Sequence, residues 1–294
     1  MGEECRRELD SERVGDKPVQ ERGLEEEEGS CHLHGGGTLP HGEGRLDGER
    51  EIANSGDLKL FFELVREISP EAVMVISPDE MNIRTLDAGN CMMVDVTLTT
   101  FKSNFFTEEV EVGINVEEMY NALNTIKGLT AVMTLLDWRI QLSSGKWKVS
   151  IRTYDIATLR KRQGFPKNMN LPNILKMADR SFADVLKSVS SNVDKIRMRV
   201  TNDAEAALII ESYGSDTEWS VGFNDYEEME VLGRCNGCSS VFSADYLKSI
   251  GKALAKVQDI TVKLGLDQPI VVTGSFQDGD AIVQYFLAPR IEST

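Results

Sequence analysis

The strongest constraint on this chain is internal: one arrangement of amphipathic helices and short alternating strands is written twice, about 125 residues apart. Asp57 caps the first helix, whose apolar positions Leu58, Phe61, Phe62, Val65 and Ile68 share one face, and Ser69-Pro70 ends it. Arg180 to Asn192 repeats the pattern with Phe182, Val185, Leu186 and Val189. About 60 residues further into each half comes a second short helix, from Val116 to Ile126 and from Ala244 to Val257. Around these run apolar alternations at Met81 and Ile83, at Trp138, Ile140 and Leu142, at Trp147, Val149 and Ile151, at Ile196, Met198 and Val200, and at Ile260, Val262 and Leu264. A period of two marks half-buried antiparallel strands. The pattern therefore predicts a duplicated α+β protein, each half a sheet covered by two helices. Ala157 to Pro172, with Gly164, Pro166 and Pro172 and little period, reads as the connector between domains at 47–156 and 173–294.

Residues 1–46 follow no such pattern. They carry Glu25 to Glu28 in a row, Gly35 to Gly37 and few large apolar side chains. Such a composition cannot bury enough surface to offset ordering entropy, so the segment is expected to be disordered. It holds 12 acidic and 6 basic residues, which leaves 36 and 26 for the rest, a net charge of −10 within a total of −16. This acidity excludes a protein that coats nucleic acid with its whole exterior, because phosphate binding needs clustered Lys and Arg. Any DNA contact must be local. No apolar run approaches the roughly 20 residues of a membrane span, and the N-terminus is acidic rather than signal-like. Five cysteines form no disulfide framework and fit a reducing compartment. The expectation is a soluble intracellular protein, cytoplasmic or nucleoid-associated in an archaeon and nuclear in a eukaryote.

The search for chemistry returns little. The three histidines, His32, His34 and His41, all fall in the N-terminal segment, so a histidine-dependent triad in the folded body is excluded. No phosphate-cradling glycine loop, zinc-protease helix or paired-carboxylate motif stands in a strand-to-helix setting. Cys31 with the three histidines matches no zinc spacing. Cys235 and Cys238 flank Asn236-Gly237 as a redox or half-zinc pair, or as a turn with two small thiols. The expectation is a protein that is not an enzyme and holds no metal or cofactor.

The chain ends in Tyr285-Phe286-Leu287-Ala288-Pro289-Arg290-Ile291-Glu292. Gly113-Ile114-Asn115, Leu86-Asp87, Gly164-Phe165-Pro166 with Lys176-Met177, and Asp267-Gln268-Pro269 precede it in order. Over about residues 47–294 this set resembles the PCNA-type DNA sliding clamps, with the arginine typical of archaeal members. The resemblance implies the DNA-clamp fold, with two similar domains per subunit, antiparallel sheets outside, and two helices per domain lining the pore of a trimeric ring. Basic helix residues then face duplex DNA: Lys59 and Arg66 on the first helix, Lys187 on the third, and Lys248, Lys252 and Lys256 at four-residue spacing on the fourth. Any one of them could instead be an ordinary solvated charge.

The resemblance further implies a pocket for PIP-box peptides made by Leu86, Asn90, Cys91, Met93, Phe165, Pro166, Pro269, Phe286, Ala288, Pro289 and Ile291. Leu86, Met93 and Phe286 read equally as core. Phe165, between Gly and Pro in a polar loop, does not. Arg160, Lys161 and Arg162 either attract acidic client flanks or are simply solvated. Subunits would join through Lys146 to Arg152 against Thr217 to Phe223, with Trp147, Val149, Ile151, Trp219 and Val221 at or behind the interface. Implied partners are double-stranded DNA, identical or paralogous subunits in a trimer, replication factor C as clamp loader, replicative DNA polymerase, flap endonuclease and DNA ligase, with no membrane. The alternative is an interaction scaffold of the same fold that does not encircle DNA.

Overall fold

In the computed structural model, the first amphipathic run becomes helix α1 (Ser55–Arg66), burying Leu58, Phe61, Phe62, Leu64 and Val65. It starts earlier than the sequence pattern suggests, because the Asn54 side chain accepts the Gly56 amide at 2.9 Å and acts as the cap. Asp57 is a first-turn residue instead, and burial pushes its carboxyl up. Helix α2 spans Val116–Thr125, with Asn115 accepting the Glu118 amide. Helix α3 is shorter than its apolar pattern, Ser181–Ser188, and α4 ends at Leu254. Lys256 therefore lies beyond the helix rather than on a three-lysine stripe.

The structure describes residues 52–99, 108–136, 138–202, 207–213, 218–225, 227–233 and 238–291. The expectations for residues 1–46, Cys235, Thr217 and Glu292 lie outside them. No helix among the described residues is long and apolar enough to cross a membrane.

The strands of the first half are β1 (Ile52–Asn54), β2 (Glu71–Ile76), β3 (Met81–Leu86), β4 (Met92–Leu98), β5 (Val110–Asn115), β6 (Thr130–Leu136), β7 (Arg139–Ser144) and β8 (Trp147–Arg152). Those of the second are β9 (Asn173–Met177), β10 (Lys195–Val200), β11 (Leu208–Ser212), β12 (Ser220–Phe223), β13 (Met229–Gly233), β14 (Cys238–Ser243), β15 (Gln258–Leu264), β16 (Ile270–Phe276) and β17 (Ala281–Leu287). Trp138, expected at the head of a strand, is a turn residue instead, 67% exposed and in the left-handed region at φ 57°.

Strand pairing follows one plan in both halves. The first half joins β5-β2-β3-β4 and β1-β6-β7-β8; the second joins β14-β10-β11-β12 and β9-β15-β16-β17, with β13 added beside β9. The halves are not separate sheets, however. β17 pairs antiparallel with β4, fusing strands of both into one nine-stranded sheet. β4 is buried along nearly its whole length and β17 everywhere but Ile282 and Gln284, as interior rather than edge strands are.

Helix α1 packs on α2, α3 on α4, and α1 meets α4 where the halves join. Close approach of α3 to α4 depends on Gly251, where a Cβ would lie 2.6 Å from the Lys187 amide nitrogen. One buried polar link also spans the halves: the Tyr285 hydroxyl donates to the Leu64 carbonyl at 2.9 Å.

Candidate functional site

Each half presents its helices as one layer, and the basic residues on that layer differ in how they are held. Arg66 lies 3.8 Å from the Tyr120 ring centre, with Glu117 at 3.4 Å and Glu67 at 3.9 Å. Lys59 sits 5.5 Å over the same ring. Lys256 is ion-paired with Glu63 of α1 at 2.8 Å. Lys187, Lys248 and Lys252 form no ion pair with the described residues, and Lys187 and Lys252 are exposed. Of these six, the cations with neither an ion-pair nor an aromatic partner among the described residues belong to the second half. Tyr120, which organises those of the first, carried no sequence signal because a lone half-buried tyrosine fits any helix.

A second feature lies on the outer face of the β4–β17 joint. Met93 stands opposite Phe286 there, and with Val271 they form a small buried cluster apart from the main core, against which Leu86, Met169 and Leu171 pack. Burying Phe286 stabilises this corner by roughly 1.5–3 kcal/mol. Phe165 of the connector closes over it, its ring centre 5.4 Å from that of Phe286, and the Arg84 guanidinium lies 3.6 Å from the Phe165 ring centre. Phe165 remains 39% exposed.

Asn90, left-handed at φ 56°, and the exposed Cys91 form the rim, where the Ala288 amide donates to the Cys91 carbonyl at 2.9 Å. Pro269 and Pro289 are half-buried beside it, and Pro166 and Ala288 are exposed. Ile291 does not join the cluster: it is 93% exposed. The chain there is held instead by Arg290, whose amide donates to Val241 and whose guanidinium pairs with Asp194 at 2.7 Å.

The rim is rigid because the β3–β4 turn is held from two sides. Asp87 accepts the amides of Gly89, Cys91 and Met92 and, from α4, the Tyr246 hydroxyl. Burial alone would push its carboxyl up, but the Tyr246 hydroxyl and the Met92, Gly89 and Cys91 amides together hold it below the usual carboxylate range. The same contact raises the Tyr246 hydroxyl. From the connector, Arg160 donates to the Asp87 carbonyl at 2.7 Å and to Asn90, and Arg162 donates to Asn82. These two arginines are therefore not a solvated run: they fasten the connector to the first half.

The third feature is a pair of open edges. β8 and β12 each end a four-stranded sheet. Trp147 and Val149 of β8, Val221 of β12 and Trp219 just before it are half-buried and packed against the main core, and Ile151 is buried. Among the described residues, no group of three or more His, Cys, Asp or Glu could hold a metal.

The fold these surfaces sit on is that of PCNA. A. fulgidus PCNA, solved with the C-terminal region of FEN-1, superposes with a TM-score of 0.73 at 24% identity, covering 83% of this chain and 99% of that one. PCNA from Entamoeba histolytica gives 0.72 at 14% identity, covering 83% and 98%. In sequence, the DNA polymerase sliding clamp of Methanocorpusculum labreanum is 31% identical over 222 residues, 73% of this chain and 88% of the relative. That of Methanoculleus marisnigri is 29% identical over 244 residues, 81% and 97%. No family model matches the chain. The chain belongs to the DNA polymerase sliding clamp family. Its function is that of a sliding clamp for DNA polymerase, and by family such clamps are scaffolds rather than enzymes.

Proposed function

We propose that three copies of this chain close head to tail around duplex DNA, with the helix layer inward and the sheets outward, and that client proteins dock at the Phe165–Phe286 cluster. The observation that carries this reading is the repeated strand plan. β4 and β17 are joined within the chain, whereas their counterparts β12 and β8 are open edges, as a ring built from repeated halves requires. Trp147, Val149, Ile151, Trp219 and Val221 are the interface residues of this reading. The body divides into domains at 47–156 and 173–294, joined by 157–172.

Lys187, Lys248 and Lys252 make the principal phosphate contacts, with Lys59, Arg66 and Lys256 damped by their neighbours. Few and mobile contacts give little affinity and no sequence readout, which permits sliding. Topology does the holding, and a tethered polymerase experiences a high effective concentration of DNA without chemistry by the clamp. Clients are proteins bearing a PIP-box peptide, with apolar and aromatic anchors for the cluster: clamp loader, polymerase, flap endonuclease and ligase. The FEN-1 segment bound to A. fulgidus PCNA supports this choice.

The test is Phe286→Ala with Pro289→Ala. Affinity for a PIP-box peptide falls at least about tenfold while light scattering still gives the trimer mass. Unchanged peptide affinity overturns the pocket assignment.

A further inference from the structure

We infer that, when copies of this chain join edge to edge, Glu218 of one copy is held between Lys148 and Arg152 of the next. The inference rests on the ring reading above and supplies its register. It comes from carrying the β4–β17 joint onto β12 and β8 through the duplication.

Asn115 and Ser243 begin α2 and α4 and so correspond. Pairing carries the match from Val112 and Ser240 to Met74 and Met198, then to Ile83 and Ile210, then to Val96 and Val221. One pair further along, Val94 matches Trp219, and Met93 matches Glu218. On the other strand, Met133 and Val262 are the second core-facing residues after the second helix of each half. From them the match runs to Leu142 and Val272, then to Val149 and Tyr285.

Within the chain Tyr285 pairs with Val94, Val283 with Val96, and Phe286 with Met93. Between copies the same geometry sets Val149 opposite Trp219, Trp147 opposite Val221, and Ser150 opposite Glu218. Both tryptophans then lie on the core-facing side of one joint, as diagonal cross-strand neighbours.

The outer face shows what distinguishes the two joints. Where the intramolecular joint carries Met93 and Phe286, the intermolecular one carries Glu218 and Ser150, so the apolar client cluster arises once per chain. Lys148, Ser150 and Arg152 are all exposed on that face of β8. Lys148 and Arg152 are the diagonal neighbours of Glu218, about 7–8 Å away between backbones and within reach of long side chains. None of the three charged residues forms an ion pair with the described residues of its own chain. The opposite charges are therefore available on the two edges, and both edges belong to the same chain.

The experiment uses the purified chain alone, with light scattering and analytical ultracentrifugation across a dilution series. Glu218→Lys sets three cations together and raises the concentration at which the oligomer dissociates by about tenfold or more. Combining it with Lys148→Glu and Arg152→Glu restores assembly. All three positions are exposed, and circular dichroism verifies that the variants fold. An assembled wild type with Glu218→Lys equally stable overturns the latch and leaves the ring reading standing. A wild type that stays monomeric overturns the ring itself.

Discussion

Replacing Tyr285 with Phe removes one hydroxyl and leaves its ring in place, so it isolates one buried polar link between the halves. The hydroxyl donates to Leu64 at 2.9 Å, and both residues are 0% exposed. Leu64 lies in the last turn of α1, and the Ile68 amide that would ordinarily satisfy its carbonyl bonds to Val65 instead. The variant therefore leaves a buried acceptor without a partner, at a cost of about 1–3 kcal/mol. No cavity adds to this, because the ring is kept. For a folded unit of roughly 250 residues, each kcal/mol moves Tm by about 2–4 °C, so melting should fall by about 2–12 °C. Burial pushes the Tyr285 hydroxyl far up, followed in effect by Glu67 and Glu63. The folded group therefore stays protonated, so the deficit should be constant from about pH 6 to about pH 9 and shrink above that, as the unfolded-state tyrosine of the wild type ionises at about pH 10. Calorimetry and circular dichroism melts at matched protein concentration measure it, since assembly makes Tm concentration-dependent. A variant melting within about 1 °C of wild type would refute the reasoning.

Asp87 should couple stability to pH in the acid range. Its folded-state carboxyl is depressed, so its stabilisation is complete above the unfolded value near 4 and is lost as pH falls through the lower folded value. Urea titrations should show a constant gap between wild type and Asp87→Asn above about pH 5 that narrows below about pH 4; a gap that widens on acidification contradicts the assignment. In the helix layer, Lys187→Ala with Lys252→Ala should reduce clamp affinity for DNA and its salt dependence more than Lys59→Ala with Lys256→Ala, because the latter pair is engaged by Tyr120 and Glu63. Equal losses in fluorescence anisotropy would show that the ion pairs do not matter.

Much of the architecture could be read from local pattern. Helical spacing located the four α-helices of the described residues, since Phe61 and Phe62 or Phe182 and Leu186 must share a face to be buried. Boundaries were less legible: Asn54 competes with Asp57 as a cap, and only backbone geometry chooses between them. The Met93–Phe286 cluster was legible through the final segment, where the two residues meet across β4 and β17, while Ile291 stands in solvent. Arg84, Tyr120 and Tyr246 escaped notice, and the fastening role of Arg160 and Arg162 was not read from their charge run, because these roles depend on partners distant in sequence, such as Asp87 bonded by Tyr246 and Arg160.

The duplication, the acidity of the body and the family could be read from residue order alone, because periodicity, charge and short ordered motifs are local properties. Tertiary structure alone decided that β4 and β17 fuse the halves while β8 and β12 stay open, since strand pairing is a long-range choice that alternation cannot encode. It also decided which lysines remain unpaired. That depends on whether an acidic or aromatic neighbour, as Glu63 is to Lys256, arrives from another helix.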